Sequence, residues 1–247
     1  MKINFENKVV LVTGGTRGIG KSIVEEFLKA GATVFATGTR SDKIEILNKK
    51  NTNPLLTYIQ LDLSNSSSLE KFTKEFCQSH RIDILINNAG INIVEEATNI
   101  PEENFDKIHR VNVKGPFLLT KTIGKRMLKN ECGRIVNVAS IWSKVTRSGR
   151  LSYSTSKMGL VGMTKTLGVE WAKYNVLVNS VSPGFTLTEL TKKTNTKDEL
   201  MSIEKMIPQQ RLANPIEIAR VVLFLASEEN SYIVGQNIIV DGGYTTI

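Results

Sequence analysis

A glycine-rich turn near the start of the chain limits the possible folds more than any other feature. An apolar strand is predicted to end in Thr13-Gly14-Gly15-Thr16-Arg17-Gly18-Ile19-Gly20, and a helix is predicted to begin at Gly18. Glycines let a backbone turn sharply and approach a phosphate closely, and the first N–H groups of a helix attract negative charge. The spacing is G-x-x-x-G-x-G instead of G-x-G-x-x-G, so its position between a strand and a helix carries the interpretation. The turn therefore predicts a nucleotide-binding βα unit.

Short β-branched segments alternate with helical patterns along the rest of the chain. Strands are predicted over residues 8–13, 33–37, 59–61, 82–86, 134–139, 176–181 and 238–240, and helices over residues 18–30, 66–79, 104–128, 153–174 and 215–226. Apolar strands separated by helices indicate a parallel sheet that is buried on both faces. We therefore predict an α/β chain with a single-domain Rossmann fold over residues 1–247, a doubly wound parallel β-sheet with helices on both faces. Residues 186–211 are polar and rich in lysine, which predicts a substrate-binding loop or lid.

Composition argues against several other classes of protein. The chain has 247 residues, two cysteines, two histidines and a formal net charge of +8. Cys77 and Cys132 form no disulfide pattern, which favours a reducing, cytoplasmic compartment. His80 and His109 lack partners at metal-ligand spacing, so no metal is expected, and no apolar stretch is long enough for a membrane span. The positive charge is scattered, so we expect no nucleic acid partner; it forms solvated surface or steers anionic substrates or cofactors.

The end of the second predicted strand indicates which dinucleotide is bound. Enzymes that use NAD usually place an acid there to bind the ribose 2′-OH. Thr37 occupies that position, and Asp42 lies beyond the strand. Arg17 and Arg40 offer two guanidinium groups for a 2′-phosphate. We therefore expect NADP(H) to be favoured over NAD(H).

Tyr153 and Lys157 stand one helical turn apart, and Ser140 precedes them. A free phenol has a pKa of about 10 and is a poor proton donor or acceptor at neutral pH. A nearby ammonium would lower that pKa and make Tyr153 a usable acid or base. The alternative is an amphipathic helix with a half-buried tyrosine and a solvated lysine.

Taken together, the motifs resemble those of the short-chain dehydrogenase/reductase family over essentially the whole chain. They are Thr13 to Gly20, Asp62-Leu63, Asn87-Asn88-Ala89-Gly90, Asn112, Ser140, Tyr153 with Lys157, Pro183-Gly184, Thr188 and Asp241-Gly242-Gly243. Within the family, the chain is most similar to the bacterial 3-oxoacyl-acyl-carrier-protein reductases. The segment 141–150 departs from them in being bulkier and more basic.

The resemblance implies a role for each motif. Tyr153 would donate the proton, Ser140 would hold the substrate carbonyl, Lys157 would bind the nicotinamide ribose and Asn112 would hold a water molecule that connects Lys157 to solvent. Cofactor-binding residues would be Gly14, Thr16, Arg17, Gly18, Ile19, Gly20, Thr37, Arg40, Asp62, Leu63, Asn88, Ala89, Gly90, Tyr153, Lys157, Pro183, Gly184, Thr186 and Thr188. Asp62 would bind the adenine amino group, and Thr188 would orient the carboxamide.

Three functions are compatible with these residues. The first is an NADPH-dependent reductase that acts on a small-molecule or carrier-bound carbonyl substrate such as a 3-oxoacyl group. The second is a dehydrogenase of a sugar, polyol or other secondary alcohol, and the third is a non-catalytic dinucleotide-binding protein. The helices predicted at 104–128 and 215–226 carry more apolar residues than one core-facing stripe needs. With the family's habit of assembly, this predicts a homotetramer.

Overall fold

The computed structural model describes residues 3–246, apart from the side chains of Leu190 and Thr194. Its centre is one sheet of seven parallel strands in the order β3-β2-β1-β4-β5-β6-β7. The strands are β1 Val9–Val12, β2 Thr33–Gly38, β3 Leu56–Gln60, β4 Ile84–Asn87, β5 Gly133–Val138, β6 Val176–Pro183 and β7 Asn237–Val240. The predicted fold class, a single-domain doubly wound parallel sheet, is confirmed. Residues 1, 2 and 247 of the predicted domain lie outside the described part.

Ten α-helical segments in the described part connect and cover the strands. They are α1 Gly18–Lys29, α2 Ser41–Lys50, α3 Ser66–Lys71, α4 Cys77–Ser79, α5 Glu102–His109, α6 Gly115–Lys129, α7 Leu151–Trp171, α8 Glu189–Thr194, α9 Lys197–Lys205 and α10 Pro215–Ala226. π-Helical segments at Phe72–Phe76 and Arg110–Lys114 join α3 to α4 and α5 to α6, and short 3₁₀ segments lie at Ala97–Asn99, Ile141–Ser143 and Ala172–Tyr174. Within residues 3–246, no helix is long and apolar enough to cross a membrane.

Alternating side chains of the strands supply two cores, one on each face of the sheet. Val10 and Val12 of β1 pack in one cluster with α1 and α10, and Leu11 packs in the other with α6. Successive side chains of a strand point to opposite faces, so an all-apolar strand can serve both cores. Burial on both faces leaves only the ends of the strands for chemistry.

The site is positioned by the point where the strand order reverses. β1 pairs with β2 on one side and with β4 on the other. Ligands of doubly wound sheets bind outside the carboxyl ends of the strands at such a switch point. The glycine turn after β1 and the Asn88–Gly90 segment after β4 meet there.

Three differences from the predicted elements concern polar segments. The helix α2 was not predicted, because Ile44 is its only buried residue and it has no apolar stripe. β3 begins three residues earlier than predicted. Residues 186–211 are not one loop, since they contain α8 and α9, each with a threonine side chain as its N-cap.

Candidate active site

The glycine turn leaves the start of α1 open. Gly14 and Gly18 have φ angles of +65° and +54°, which side chains rarely adopt. Arg17 is the N-cap of α1 but makes no side-chain cap hydrogen bond, and the first turn contains no acidic residue. The first N–H groups of a helix have no partner within the helix. This donor set fits the pyrophosphate of a dinucleotide.

The turn is held in shape by β4 and by close backbone contact. A Cβ on Gly20 would lie 2.2 Å from the Gly14 carbonyl oxygen, so only glycine fits there. Asn88 donates from Nδ2 to the Thr13 carbonyl at 2.8 Å, and Thr13 Oγ1 accepts from the backbone N–H groups of Asn88 and Ala89, each at 3.0 Å. The Asn88 side chain therefore fixes the turn, a role the sequence did not suggest.

The residues expected to recognise the 2′-phosphate differ in their exposure to solvent. Thr37 is buried and its hydroxyl accepts a hydrogen bond from the Gly14 N–H at 3.2 Å. Arg17 and Arg40 are exposed. Arg40 donates from Nε to Asp42 Oδ1 at 3.1 Å, and this hydrogen bond lowers the pKa of the Asp42 carboxyl. A phosphate on Arg40 would therefore compete with Asp42.

Asp62 and Leu63 follow β3 and differ in what they can offer a cofactor. Asp62 Oδ1 accepts from the Ser64 N–H at 2.9 Å and from the Ser64 hydroxyl at 2.7 Å, which fixes the carboxylate in orientation. The Leu63 side chain is buried in the core against Gly115. Only the Leu63 backbone is left to face a ligand.

Ser140 lies at the end of β5 and is fixed by its neighbours. Its hydroxyl accepts from the Trp142 N–H at 3.3 Å, and its carbonyl accepts from Ser143 Oγ at 2.7 Å. Ser143 Oγ in turn lies 3.1 Å from Ser182 Oγ on β6. Three segments thus set the position of Ser140.

Tyr153 and Lys157 lie on α7, and burial dominates their acid–base properties. Burial raises the pKa of Tyr153, while hydrogen bonding with Ser140 and the charge of Arg150 act in the opposite direction. Burial also lowers the pKa of Lys157 to about 8. The expected lowering of the Tyr153 pKa by Lys157 is therefore wrong for this structure. The physical reason is placement: Lys157 Nζ donates to the Val138 carbonyl at 2.8 Å and lies 5.7 Å from the centre of the Tyr153 ring.

Asn112 and Gly90 complete this part of the site. Asn112 is fully buried in the π-helical segment, accepts from the Ile91 N–H and donates to the Ile91 carbonyl, both at 2.9 Å, and donates to Ser156 Oγ at 3.0 Å. A Cβ on Gly90 would lie 3.3 Å from both Asn112 Oδ1 and Lys157 Nζ. The glycine keeps the backbone of this segment close to both polar groups.

The segment after β6 reaches back to the glycine turn. Thr188 caps α8 by accepting from the Thr191 N–H at 3.1 Å, and a Cβ on Gly18 would lie 3.4 Å from its methyl group. Thr186 Oγ1 donates to the Gly184 carbonyl at 3.1 Å. Pro183 ends β6, and the backbone of Gly184 packs so closely on Asp241 that a Cβ would lie 2.7 Å from its Cα. The structure thus brings both ends of the predicted cofactor site together.

Two groups of site residues were missed from the sequence. Asn87 donates to Asn137 Oδ1 at 2.8 Å and Asn137 donates to Thr164 Oγ1 at 2.8 Å, a buried polar chain that ties β4 and β5 to α7. Trp142 is buried beside the site with Arg150 over its ring. The asparagine inside each of two apolar strands was the sequence signal for the buried polar chain. The unusual basic segment was the signal for Trp142 and Arg150. The part of the chain that the structure describes holds no cluster of three or more metal-ligand side chains.

Comparison with known proteins identifies the family. A sequence model of a family described as enoyl-(acyl carrier protein) reductase matches residues 14–245. The chain is 39% identical to the NAD-dependent glycerol dehydrogenase of Listeria innocua, over 98% of this chain and 95% of that protein. It is 38% identical to the 3-oxoacyl-[acyl-carrier-protein] reductase FabG of Aquifex aeolicus, over 98% of this chain and 99% of that protein.

Solved structures with the same fold support the same family assignment. A short chain dehydrogenase/reductase family protein superimposes with a TM-score of 0.88 at 32% identity, over 99% of this chain and 100% of the other. The gluconate 5-dehydrogenase of Burkholderia cenocepacia in complex with NADP and tartrate superimposes with a TM-score of 0.92 at 26% identity, over 100% of this chain and 98% of the other. Sequence and fold therefore agree over the whole chain, which belongs to the short-chain dehydrogenase/reductase family, a family of oxidoreductases that act on CH–OH groups.

Proposed function

We propose that the protein is an NADPH-dependent reductase that converts a carbonyl group into a secondary alcohol. The observation that carries the proposal is the juxtaposition of Tyr153, Lys157 and Ser140 at the carboxyl edge of the sheet. Ser140 lies close enough to Tyr153 to lower the pKa of its phenol, and Lys157 is buried on the same helix. A non-catalytic dinucleotide-binding protein would not need all three groups.

The residues around the glycine turn would hold the cofactor. The N-terminus of α1 would bind the pyrophosphate, Asp62 the adenine, and Lys157 and the Asn88–Gly90 backbone the riboses, with Thr186 and Thr188 near the carboxamide. When bound, NADPH supplies the hydride, and the protein supplies position, a proton and charge stabilisation.

The chain's own residues provide the rest of the reaction. Tyr153 holds its proton at neutral pH, and its hydroxyl would donate that proton to the carbonyl oxygen. Because burial raises the pKa of the phenol, the transfer depends on the negative charge that develops on that oxygen. The Ser140 hydroxyl donates a hydrogen bond to the same oxygen as negative charge develops there. Lys157 carries a positive charge below about pH 8 and would use it to bind the hydroxyl groups of the nicotinamide ribose.

Preference for NADPH over NADH is supported by Arg17 and Arg40 and by the absence of an acid at Thr37. Solved neighbours that contain NADP agree with this choice, whereas a curated relative is NAD-dependent. Charge-assisted hydrogen bonds contribute about 1.5–3 kcal/mol each. We expect Arg40→Ala to weaken NADPH binding by about tenfold or more and to leave NADH nearly unchanged. Fluorescence titration of both cofactors tests this, and equal affinities in the native protein would contradict it.

The first candidate substrate is a 3-oxoacyl thioester, supported by the FabG relatives. The second is a sugar acid, polyol or other secondary alcohol, supported by the glycerol and gluconate dehydrogenases. Turnover of acetoacetyl thioesters with NADPH, beside gluconate and glycerol with NADP⁺ and NAD⁺, separates the two. Binding of NADPH without turnover of any carbonyl compound would favour the non-catalytic alternative.

A further inference from the structure

A positively charged group lies beside the catalytic tyrosine and has no ion-pair partner in the described part of the chain. Arg150 is half-buried, and its Nε atom is buried without a hydrogen-bond partner. Within residues 3–246, no carboxylate forms an ion pair with Arg150 or with its neighbour Arg147. A buried polar atom without a partner is costly, and a buried charge is more so.

The surroundings hold this guanidinium in place. Arg150 and Arg147 lie over the Trp142 ring, with Cζ atoms 5.8 Å and 5.4 Å from its centre. Trp142 is itself buried and packs edge-on against Phe185, whose ring centre is 6.1 Å away. Stacking on an indole stabilises a cation and fixes the plane of its donors, but it leaves those donors free.

The backbone places Arg150 on the same side of α7 as the catalytic residues. Gly149 has a φ angle of +76°, and Arg150 follows as the N-cap of α7 without capping the helix through its side chain. Tyr153 stands three positions later and Lys157 seven, so all three residues share one face of the helix. The charge of Arg150 acts on Tyr153, which agrees with their proximity.

The acidic residues that contact this segment are already engaged. Glu96 accepts a hydrogen bond from Ser148 Oγ at 2.8 Å, and Glu95 accepts one from Asn104 Nδ2 at 2.8 Å. Arg147 and Arg150 also repel each other, since the charge of Arg147 lowers the pKa of Arg150. Two like charges against one aromatic ring, with no acid between them, form a site for an external anion.

We propose that Arg150 is a specificity-determining residue that binds a carboxylate of the substrate, so that the preferred substrates are oxo acids and their hydroxy acid products. The planar fork of a guanidinium matches the two oxygens of a carboxylate. Arg147, which is exposed, lies at the entrance and attracts the anion. A site built for a charged group rejects the uncharged analogue, because its own charge is then left unpaired. This inference rests on the reductase activity proposed above.

The test compares acids with their neutral esters. The probes are 3-oxobutanoate and 5-oxohexanoate, each beside its methyl ester, with NADPH oxidation followed in native protein, Arg150→Gln, Arg150→Lys and Lys144→Gln. Lys144 is an exposed lysine of the same segment, so its replacement removes one charge without touching the site. We expect native kcat/KM to favour at least one acid over its ester, and Arg150→Gln to lower that acid's kcat/KM by about 10–150-fold, the range for a charge-assisted hydrogen bond. The acid should lose at least about tenfold more than its ester, because any effect of Arg150 on Tyr153 acts on both equally. Lys144→Gln should leave both unchanged, and Arg150→Lys should lie between.

Two results overturn the inference, and a third separates it from the proposed function. Native protein that shows no preference for the acids contradicts it, as does an equal loss of acid and ester reduction in Arg150→Gln. If no probe is reduced, the proposed reductase activity is wrong. Calorimetric titration of 3-hydroxybutanoate into NADP⁺-loaded protein then tests whether Arg150 binds a carboxylate. Binding that is present in native protein and lost in Arg150→Gln supports the anion site; equal binding or none in both refutes it. If Arg150→Gln does not fold, Arg150→Lys carries the same comparisons.

Discussion

Burial sets the acid–base chemistry of Tyr153 and Lys157. The phenol is kept protonated because its pKa is raised, and the ammonium is destabilised so that its pKa falls to about 8. Lys157, not Tyr153, is therefore the member of the pair that changes charge near physiological pH. Chemistry of the free side chains predicted that the two residues interact, but the direction of both pKa shifts depends on how deeply the fold buries the side chains, which the sequence does not show.

Protonation of Lys157 makes two quantities change with pH in opposite directions, the free energy of unfolding and the affinity for NADPH. Its folded-state pKa of about 8 is below the ordinary 10.5, so between these values the unfolded chain binds more protons than the folded one. The contribution of Lys157 to the free energy of unfolding of the cofactor-free protein thus rises with pH across this window. The affinity for NADPH should instead fall as the pH rises, because the ammonium is the form that binds the ribose. Its Kd should increase by up to about tenfold per pH unit above pH 8. An NADPH Kd that stays constant from pH 7 to 10 would show that the ammonium is not needed.

At the scale of secondary structure, the π-helical segment Arg110–Lys114 carries the polar link between helix and site. Its extra residue per turn places Asn112 where it bonds both backbone groups of Ile91 and the Ser156 hydroxyl. Leaving a buried polar group without a partner costs about 1–3 kcal/mol. Asn112→Ala should therefore lower the free energy of unfolding by at least that amount in a urea titration, and reduce turnover as well. Ser156→Ala removes one hydrogen bond of Asn112 and the bond from Ser156 to the Tyr153 carbonyl, but leaves both bonds of Asn112 to Ile91, so it should cost less. A neutral Asn112→Ala would contradict the assignment.

The elements that the sequence predicted well have strong local signals. α10 was predicted with its bounds from its apolar run, and in the structure Asn214 is its N-cap, with Glu217 accepting a hydrogen bond from the Asn214 N–H. The capping box of Thr196 and Glu199 at α9 was equally readable but stands in a lysine-rich stretch that resembles a loop. The π-helical segments leave no trace in hydrophobic periodicity, since one inserted residue shifts the pattern by less than a turn. Motif residues such as Ser140 and Tyr153 were predicted from spacing and resemblance, whereas the support from Ser143 and Asn137 required the sheet register.

At the scale of the whole molecule, the described surface agrees only in part with the apolar excess that predicted a tetramer. Ile108 and Leu119 are buried within the chain itself, and α10 packs much of its apolar surface against α1. Phe117 on α6 is 46% exposed and lines a groove together with Leu167 and Trp171 of α7. An exposed apolar groove is a typical place for contact between subunits.

We propose a homotetramer that uses this face of α6 and α7. Light scattering at micromolar concentration should give the mass of four 27.4 kDa chains. Phe117→Glu should produce smaller species, because a charge would then be buried in the interface. Ile46→Glu, an exposed apolar position on α2, is the control and should leave the mass unchanged. A native protein of 27 kDa would refute the assembly.

Tyr153→Phe tests the central claim most directly, because it removes the proposed proton donor and keeps the ring. On the best carbonyl substrate of the native protein, the account predicts a loss of turnover by about 10²–10⁴, the usual contribution of general acid catalysis. NADPH affinity, measured on the same preparation by fluorescence, should change little, because the hydroxyl acts at the substrate. Retention of more than about a tenth of native turnover, well above that range, with intact NADPH binding would contradict the account and leave Tyr153 as a packing residue beside a buried lysine.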